Sequence, residues 1–341
     1  MRHIAGYTIT EALISTPEYL VLRARLGDRP VLLRLPANEY PTLDAIARLR
    51  HGYELQRSLD TPGVTKTIAL EEHDRSVLLV MADEGGEPLR SSLRGEALNL
   101  QDALRIALQL VQTLGNLHQR GVVHQRVNPA NVFVDSSTWD VKLAHFEYSS
   151  VLNSDGPTAV GSTSLEEELP YISPEQTGRM NRGVDHRTDF YSLGAMLYEM
   201  LTGRVPFVEA DPMALVHCHI AIAPESPRKL SPSVPEAISS IVMKLLAKNA
   251  EDRYQSAYGV AADLSNCLRQ LVESGEVGSI VTGESDAPAT FQLPHRLYGR
   301  EAEKAQLLSA FERAAAGSTE VCLVAGRSGT GKSSLVSEIQ K

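Results

Sequence analysis

The 341 residues carry a formal net charge of -9, with 43% hydrophobic and 22% charged side chains. A chain of this size and composition buries a full core and forms two or more structural units. Its acidic balance excludes general binding to nucleic acid or to an anionic membrane surface, since both need clustered Lys and Arg. Three cysteines, Cys218, Cys267 and Cys322, stand far apart, which fits reduced thiols better than a disulfide framework or a zinc site. No basic stretch followed by an apolar run opens the sequence, and no run of about 18 apolar residues occurs, so the cytoplasm is expected, with no membrane partner.

Residues 1–85 read as a small, mainly β unit, with strands at Tyr19–Arg25, Pro30–Leu35 and Ser76–Met81 around one helical stretch, Leu43–Leu59. Past Gly85-Gly86 the pattern turns helical: Leu104, Ala107, Leu108, Val111 and Leu114 fall at helical spacing within Leu100–His118. Ser192–Leu201, Met213–Ala221, Ala237–Lys248 and Asp263–Glu273 follow as further helices, making residues 86–272 a larger helical lobe. A small β lobe strapped to a helical one implies a cleft between them. Residues 273–294, rich in Gly, Ser, Glu, Thr and Pro, read as a linker. Residues 295–341 open a new unit: a helix over Leu297–Ala315, a short apolar strand over Glu320–Ala325, a Gly-rich turn and the start of another helix.

Five segments of the two lobes, taken in order, carry a resemblance. Val122-Val123-His124-Gln125-Arg126-Val127-Asn128-Pro129-Ala130-Asn131 is similar to the catalytic loop H-R-D-x-K-P-x-N of eukaryotic-type Ser/Thr protein kinases. Val141-Lys142-Leu143-Ala144-His145-Phe146-Glu147 stands where that family has a strand leading into D-F-G. Tyr171-Ile172-Ser173-Pro174-Glu175 resembles its A-P-E segment, Asp189-Phe190-Tyr191-Ser192-Leu193-Gly194 the start of its central helix, and Asp252-Arg253-Tyr254 its late arginine. The resemblance covers roughly residues 6–270 and implies an α+β, bilobal protein-kinase fold. It also implies that Glu175 pairs with Arg253 and that Asp189 accepts backbone N–H groups of the catalytic loop, both structural roles.

The residues that do chemistry in that family are mostly replaced. Phosphoryl transfer on this fold depends on a strand Lys paired with a helix Glu, a base for the hydroxyl proton, and carboxylate-held Mg²⁺. Arg34 stands at the strand Lys position, with Glu54 on the next helix as its expected partner. Arg126 replaces the base and has no lone pair to take a proton. Asn128 replaces the nearby Lys, His145 replaces the metal-binding Asp, and Asn131 alone survives as a metal-side ligand. The opening stretch Thr8–Pro17 has no glycine to bring backbone amides onto phosphates. None of these positions is expected to be catalytic, and no cofactor is expected in the kinase-like cleft. Two other uses of the site remain open: Glu147 or Glu166–Glu168 serving as substitute metal ligands, or Arg34, Arg126 and His145 forming a metal-free anion pocket. An internal salt bridge to Glu54 or Glu147 is the more economical use of the arginines.

Gly326-Arg327-Ser328-Gly329-Thr330-Gly331-Lys332-Ser333 fits G-x-x-x-x-G-K-[ST]. In such a P-loop Gly326, Gly329 and Gly331 shape the turn, Lys332 reaches the outer phosphates and Ser333 holds Mg²⁺. Leu297-Tyr298-Gly299-Arg300-Glu301 resembles the entry to AAA-type ATPase domains. The sequence stops at Lys341, before any strand that could complete the domain, and reads as a piece of a longer protein ending in the truncated start of a P-loop α/β domain. The order of units resembles large bacterial signalling proteins that join a Ser/Thr kinase domain, an AAA-type ATPase and a sensor histidine kinase. The expected function is therefore a catalytically degenerate kinase-like module that regulates or scaffolds those downstream modules and other signalling proteins, with ATP and Mg at the P-loop of the complete protein. The alternatives are an active, atypical Ser/Thr protein kinase and an NTPase working through Lys332.

Overall fold

The computed structural model describes residues 4, 6–73, 75–151, 168–180, 182–287, 300–326, 332, 335 and 336. β1 (Thr8–Ser15), β2 (Tyr19–Leu26) and β3 (Arg29–Pro36) form a meander, α1 (Leu43–Arg57) follows, and β4 (Thr67–His73) and β5 (Ser76–Ala82) complete an antiparallel sheet of order β1-β2-β3-β5-β4. Side chains alternate along a strand, and here both faces are apolar. Val31, Leu33 and Leu35 pack under Ile4 on one face. Leu32 faces the other way, with Val21, Leu79 and Met81, toward α1 and the second lobe. α1 begins at Thr42, whose hydroxyl accepts the Ala45 N–H at 3.2 Å. Its buried positions, Leu49, Gly52 and Gln56, recur at helical spacing on one face.

The strap between lobes turns at Gly86, where φ is +89° and an added Cβ would lie 2.9 Å from the Val134 carbonyl carbon. Only glycine both reaches that φ at no cost and lets the strap lie this close to the strand below. β6 (Glu87–Pro88) then leads into α2 (Leu100–Gln119), β7 (Val122–Val123), β8 (Val132–Val134), β9 (Val141–Leu143) and β10 (Ser150–Val151). β6 pairs with β8, β8 with β9, and β10 with β7. α2 is capped by Asn99, which accepts the Asp102 N–H at 2.9 Å, and its Leu104, Ala107, Val111 and Leu114 are fully buried. α3 (Arg187–Thr202) is buried almost all round, as befits the central helix of the lobe. α4 (Pro212–Ala221), α5 (Pro227–Leu230), α6 (Glu236–Leu245) and α7 (Ala257–Ser274) complete it, with α7 against α2.

Two expectations are corrected at the C-terminal side. The stretch expected as a linker does not leave the lobe at residue 273: as far as residue 287 it is docked. The Asp286 carboxylate accepts the N–H groups of Gln255 (2.7 Å) and Ser256 (3.0 Å) and the Ser256 hydroxyl (2.8 Å), so it caps α7 from outside the helix. Asp263 holds the Gly283 N–H at 2.7 Å, and Val277 and Ile280 pack on the lobe's core. A Gly/Ser-rich composition hid this, because four hydrogen bonds and two apolar side chains leave no periodicity to read. Further on, α8 (Glu301–Ala315) forms, but the strand expected over Glu320–Ala325 does not. Val321 and Leu323 are 91% and 92% exposed. A strand exists only against a neighbour, and no described residue supplies one.

Candidate functional site

Between the lobes, where the family's cleft lies, the sheet face and the second lobe meet in a packed apolar cluster. Ile14, Val21, Leu32 and Met81 come from the sheet, and Ala130, Phe133 and Ala144 from below; none is more than 7% exposed. Leu32 sits two residues before Arg34, where the family motif V-A-I-K carries Ala. The isobutyl side chain in place of a methyl and the Phe133 ring occupy volume between the lobes. Neither residue was singled out from the sequence, although Val31-Leu32-Leu33-Arg34 set against V-A-I-K contained the first signal.

At the front edge Arg23 of β2 ties the sheet to the strap. Its Nε donates to Asp83 (2.9 Å), its Nη1 to Glu11 (2.9 Å) and Glu87 (2.6 Å), and its Nη2 to the Gly86 carbonyl (2.6 Å). One guanidinium thus spans β1, the strap and β6, using the fork of donors that Lys lacks. Sequence reasoning missed this residue, since a lone Arg on a strand carries no motif.

At the back, Arg34 is buried and its Nε lies 2.6 Å from Glu147 Oε1, while its guanidinium carbon lies 3.8 Å over the Tyr19 ring. Burial works against the Arg34 charge, but Glu147 and then Tyr19 outweigh it and its pKa remains raised. The expected pairing with Glu54 is not formed. Glu54 lies exposed beside Arg57, about 200° round the helix from Gly52. Gly52 is the α1 position that faces Glu147: an added Cβ there would lie 3.0 Å from the Glu147 nitrogen and 3.1 Å from its Cγ. Absence of a side chain on the helix makes room for the loop carboxylate that neutralises Arg34.

The remaining candidate residues are likewise committed internally. Arg126 pairs with Glu168 and stacks 4.2 Å over the Tyr148 ring. Asn131 Nδ2 donates to the Arg126 carbonyl at 2.7 Å, and the Asn128 side-chain oxygen accepts the Ala130 N–H at 2.9 Å, so both asparagines hold the loop itself. His145 has φ +71° and is buried with neither ring nitrogen hydrogen-bonded. Burial, then Arg34 and His124, push its pKa well below the usual imidazole range, so it is neutral. Asp189 accepts the His124 N–H (2.9 Å), the Gln125 N–H (2.7 Å) and His118 Nε2 (2.8 Å). Glu175 is held bidentately by Arg253, at 2.7 and 2.9 Å, and accepts the Thr188 hydroxyl at 2.8 Å. Burial raises the Glu175 pKa, but Arg253 overcomes that and it ends lowered.

The groups of this set that could face a metal-bound nucleotide are engaged with one another. Mg²⁺ takes hard oxygen ligands in octahedral array, and no group of three His, Cys, Asp or Glu among the described residues could hold a metal. Glu147 faces Arg34, Asn131 is spent on backbone, and His145 offers a buried neutral ring. The anion pocket weighed from the sequence fails on the same pairs, because Arg34 and Arg126 are each matched by a carboxylate. In the C-terminal unit Lys332 Nζ donates to the Gly326 carbonyl at 2.9 Å, while Gly329, Gly331 and Ser333 lie outside the described residues.

The protein kinase domain family matches residues 39–264. This chain belongs to the protein kinase family. β1, β2 and β3 all precede the match and complete the sheet of the same kinase domain. The AAA ATPase domain family matches residues 296–341. The chain is 28% identical to "Hybrid signal transduction histidine kinase G" of Dictyostelium discoideum over 72% of its own length and 10% of that protein. It is 31% identical to a probable serine/threonine-protein kinase of Streptomyces coelicolor, over 72% of the chain and 37% of the relative. With serine/threonine-protein kinase PrkC of Bacillus subtilis the values are 30%, 71% and 37%. The chain therefore spans about a tenth to somewhat over a third of these relatives. Kinase and AAA domains generally bind ATP and Mg. Among the described residues no helix is long and apolar enough to cross a membrane.

Proposed function

We propose that the kinase domain is a signalling module that does not transfer phosphate, and that it regulates or scaffolds the adjoining ATPase unit and further signalling modules of a longer, bacterial-type protein in the cytoplasm. The observation that carries this reading is the Arg34–Glu147 pair closed over Gly52: the cation and the acid that would serve phosphate and metal are spent on each other. The apolar contact of Leu32 with the cluster containing Phe133 points the same way. In the complete protein, ATP and Mg go to the P-loop residues Gly326, Gly329, Gly331, Lys332 and Ser333.

The test uses the full chain carrying Lys332→Ala, so that only the kinase cleft can respond. Thermal unfolding with ATP, with and without Mg²⁺, is expected to show no nucleotide-dependent shift, where a ligand at 100 times its Kd would stabilise by about 2.7 kcal/mol. Transfer of labelled γ-phosphate to the chain itself or to a generic substrate is expected to be absent. Mg-dependent stabilisation together with transfer that Asn131→Ala abolishes would instead establish an active, atypical Ser/Thr kinase.

A further inference from the structure

A cavity of about 470 Å³ opens between the β1–β2 turn, β3, α1 and the segment after β9. That volume is in the range of small-molecule sites. Pro17, Tyr19, Pro36, Pro41, Leu49 and Tyr148 give it apolar walls. Three guanidiniums stand in or beside it, and each has its own carboxylate: Arg34 has Glu147, Arg48 has Asp44, and Arg126 has Glu168. A fourth carboxylate, that of Glu18, also lines the cavity, half-buried. Only the backbone of Glu18 is hydrogen-bonded, its N–H to the Thr16 hydroxyl at 3.3 Å and its carbonyl to the Ala37 N–H at 2.7 Å. Its side chain makes no hydrogen bond or ion pair with any described residue.

Summed over these groups, three pairs cancel and one negative charge is left on the wall. Half-burying a carboxylate without a partner is unfavourable, and an opposite charge brought to it relieves that cost. An anion entering here meets no unmatched cation among the described residues. The tyrosine rings are not free to receive a cation either, since Arg34 already lies over Tyr19 at 3.8 Å and Arg126 over Tyr148 at 4.2 Å. They serve as flat apolar walls. The positive end of α1 at Thr42 is offset by Asp44 in its first turn.

We propose that this cavity binds a small monocationic amine carried on an apolar body, with the ammonium on the Glu18 carboxylate and the body against Tyr19, Pro36 and Pro41. The site shares Arg34 and Glu147 with the kinase cleft, so the inference rests on the proposed function in one respect, that these two charges are spent on each other. Glu18 titrates accordingly: burial and then Glu168 raise its pKa, against the lowering influence of Arg48, Arg126 and Arg34. Amine affinity therefore falls on acidification at a pH above that at which an ordinary glutamate protonates.

The test is calorimetric titration of the full chain at pH 7.5 with 2-phenylethylamine, 2-phenylethanol and 3-phenylpropanoate, three probes of similar shape and different charge. The amine is expected to bind at least tenfold more tightly than the alcohol, and the carboxylate not to bind. Glu18→Gln should erase the preference of amine over alcohol and leave the alcohol unchanged, while Glu18→Asp retains a preference. Ala45→Leu, which fills the cavity from α1, should weaken amine and alcohol alike. The proposal is overturned by absence of amine binding, by amine and alcohol of equal affinity, by a preference that survives Glu18→Gln, or by amine binding indifferent to Ala45→Leu.

Discussion

Cutting Glu147 back to alanine leaves the Arg34 guanidinium buried without a counter-charge. The two side chains are 7% and 3% exposed, so water can replace neither partner. Removing one member of such a pair costs about 3–5 kcal/mol, because most of the loss is the stranded charge itself. Arg34→Met should cost a comparable amount by stranding Glu147. The double variant Arg34→Met/Glu147→Leu removes both charges and keeps most of the volume; replacements of that kind are often neutral or stabilising by about 1–4 kcal/mol. Strong non-additivity is therefore expected, far outside the ~0.3–0.5 kcal/mol within which independent sites add. Urea unfolding of the full chain by far-UV circular dichroism gives the totals, and hydrogen exchange at the β3 amides reports the small lobe separately. Losses that simply add in the double variant, or a Glu147→Ala protein as stable as the parent, would refute the pairing as the organising contact of the cleft.

Gly52→Ala places a methyl group 3.0 Å from a backbone nitrogen and 3.2 Å from the Glu147 Cα, so a net loss of about 1–3 kcal/mol is expected despite the better helix propensity; an equal or higher urea midpoint would contradict the close approach. Asp286→Ala removes three hydrogen bonds to the start of α7, and about 1–3 kcal/mol together with fast hydrogen exchange over residues 276–287 is expected; unchanged exchange there would mean that the segment is held by something else. Acid should destabilise the fold from about pH 6.5 downward. Burial lowers the pKa values of His124, His145 and His186, and pushes that of His219 to about 3. Between 6.5 and those lowered values the unfolded chain takes up protons that the folded chain refuses, so stability falls as pH falls. The urea midpoint should drop between pH 7.5 and 5.5, and less so in His145→Asn, which suits the left-handed backbone there; equal drops in the two proteins would remove His145 from the account.

Much of the fold could be read from the residues because the signals were local. Leu104, Ala107, Val111 and Leu114 keep helical spacing on α2, and all four are buried. Alternation on β3 sorted Val31, Leu33 and Leu35 from Leu32, as the two apolar clusters show. What could not be read was pairing at a distance. Glu54 is the only acid of α1 near the right place in sequence, but helical phase turns it to solvent, and the carboxylate comes from Glu147, 113 residues after Arg34. Arg23 was invisible for the same reason, since its partners Glu11, Asp83 and Glu87 come from three separate segments. Asp286 caps a helix that begins 29 residues earlier, in a stretch whose composition suggested a free linker.

The cleft is better described as re-paired than as damaged. A buried charge that loses its ligand must find another partner or be neutralised. Exchange of the strand Lys for Arg34 keeps a cation in the small lobe, and Glu147 meets it on the space that Gly52 leaves. A guanidinium at position 126 would be intolerable next to bound metal, yet it is satisfied by Glu168 and the Tyr148 face. His145 holds its left-handed backbone as a buried neutral ring beside Arg34. These substitutions depend on one another. Arg126→Asp alone would restore the family's base but replace the partner of Glu168 by a second carboxylate, and would leave Arg34 still bound to Glu147. Phosphoryl transfer on this scaffold needs charges free to meet a ligand, and the proposed silence of the domain rests on these pairs holding.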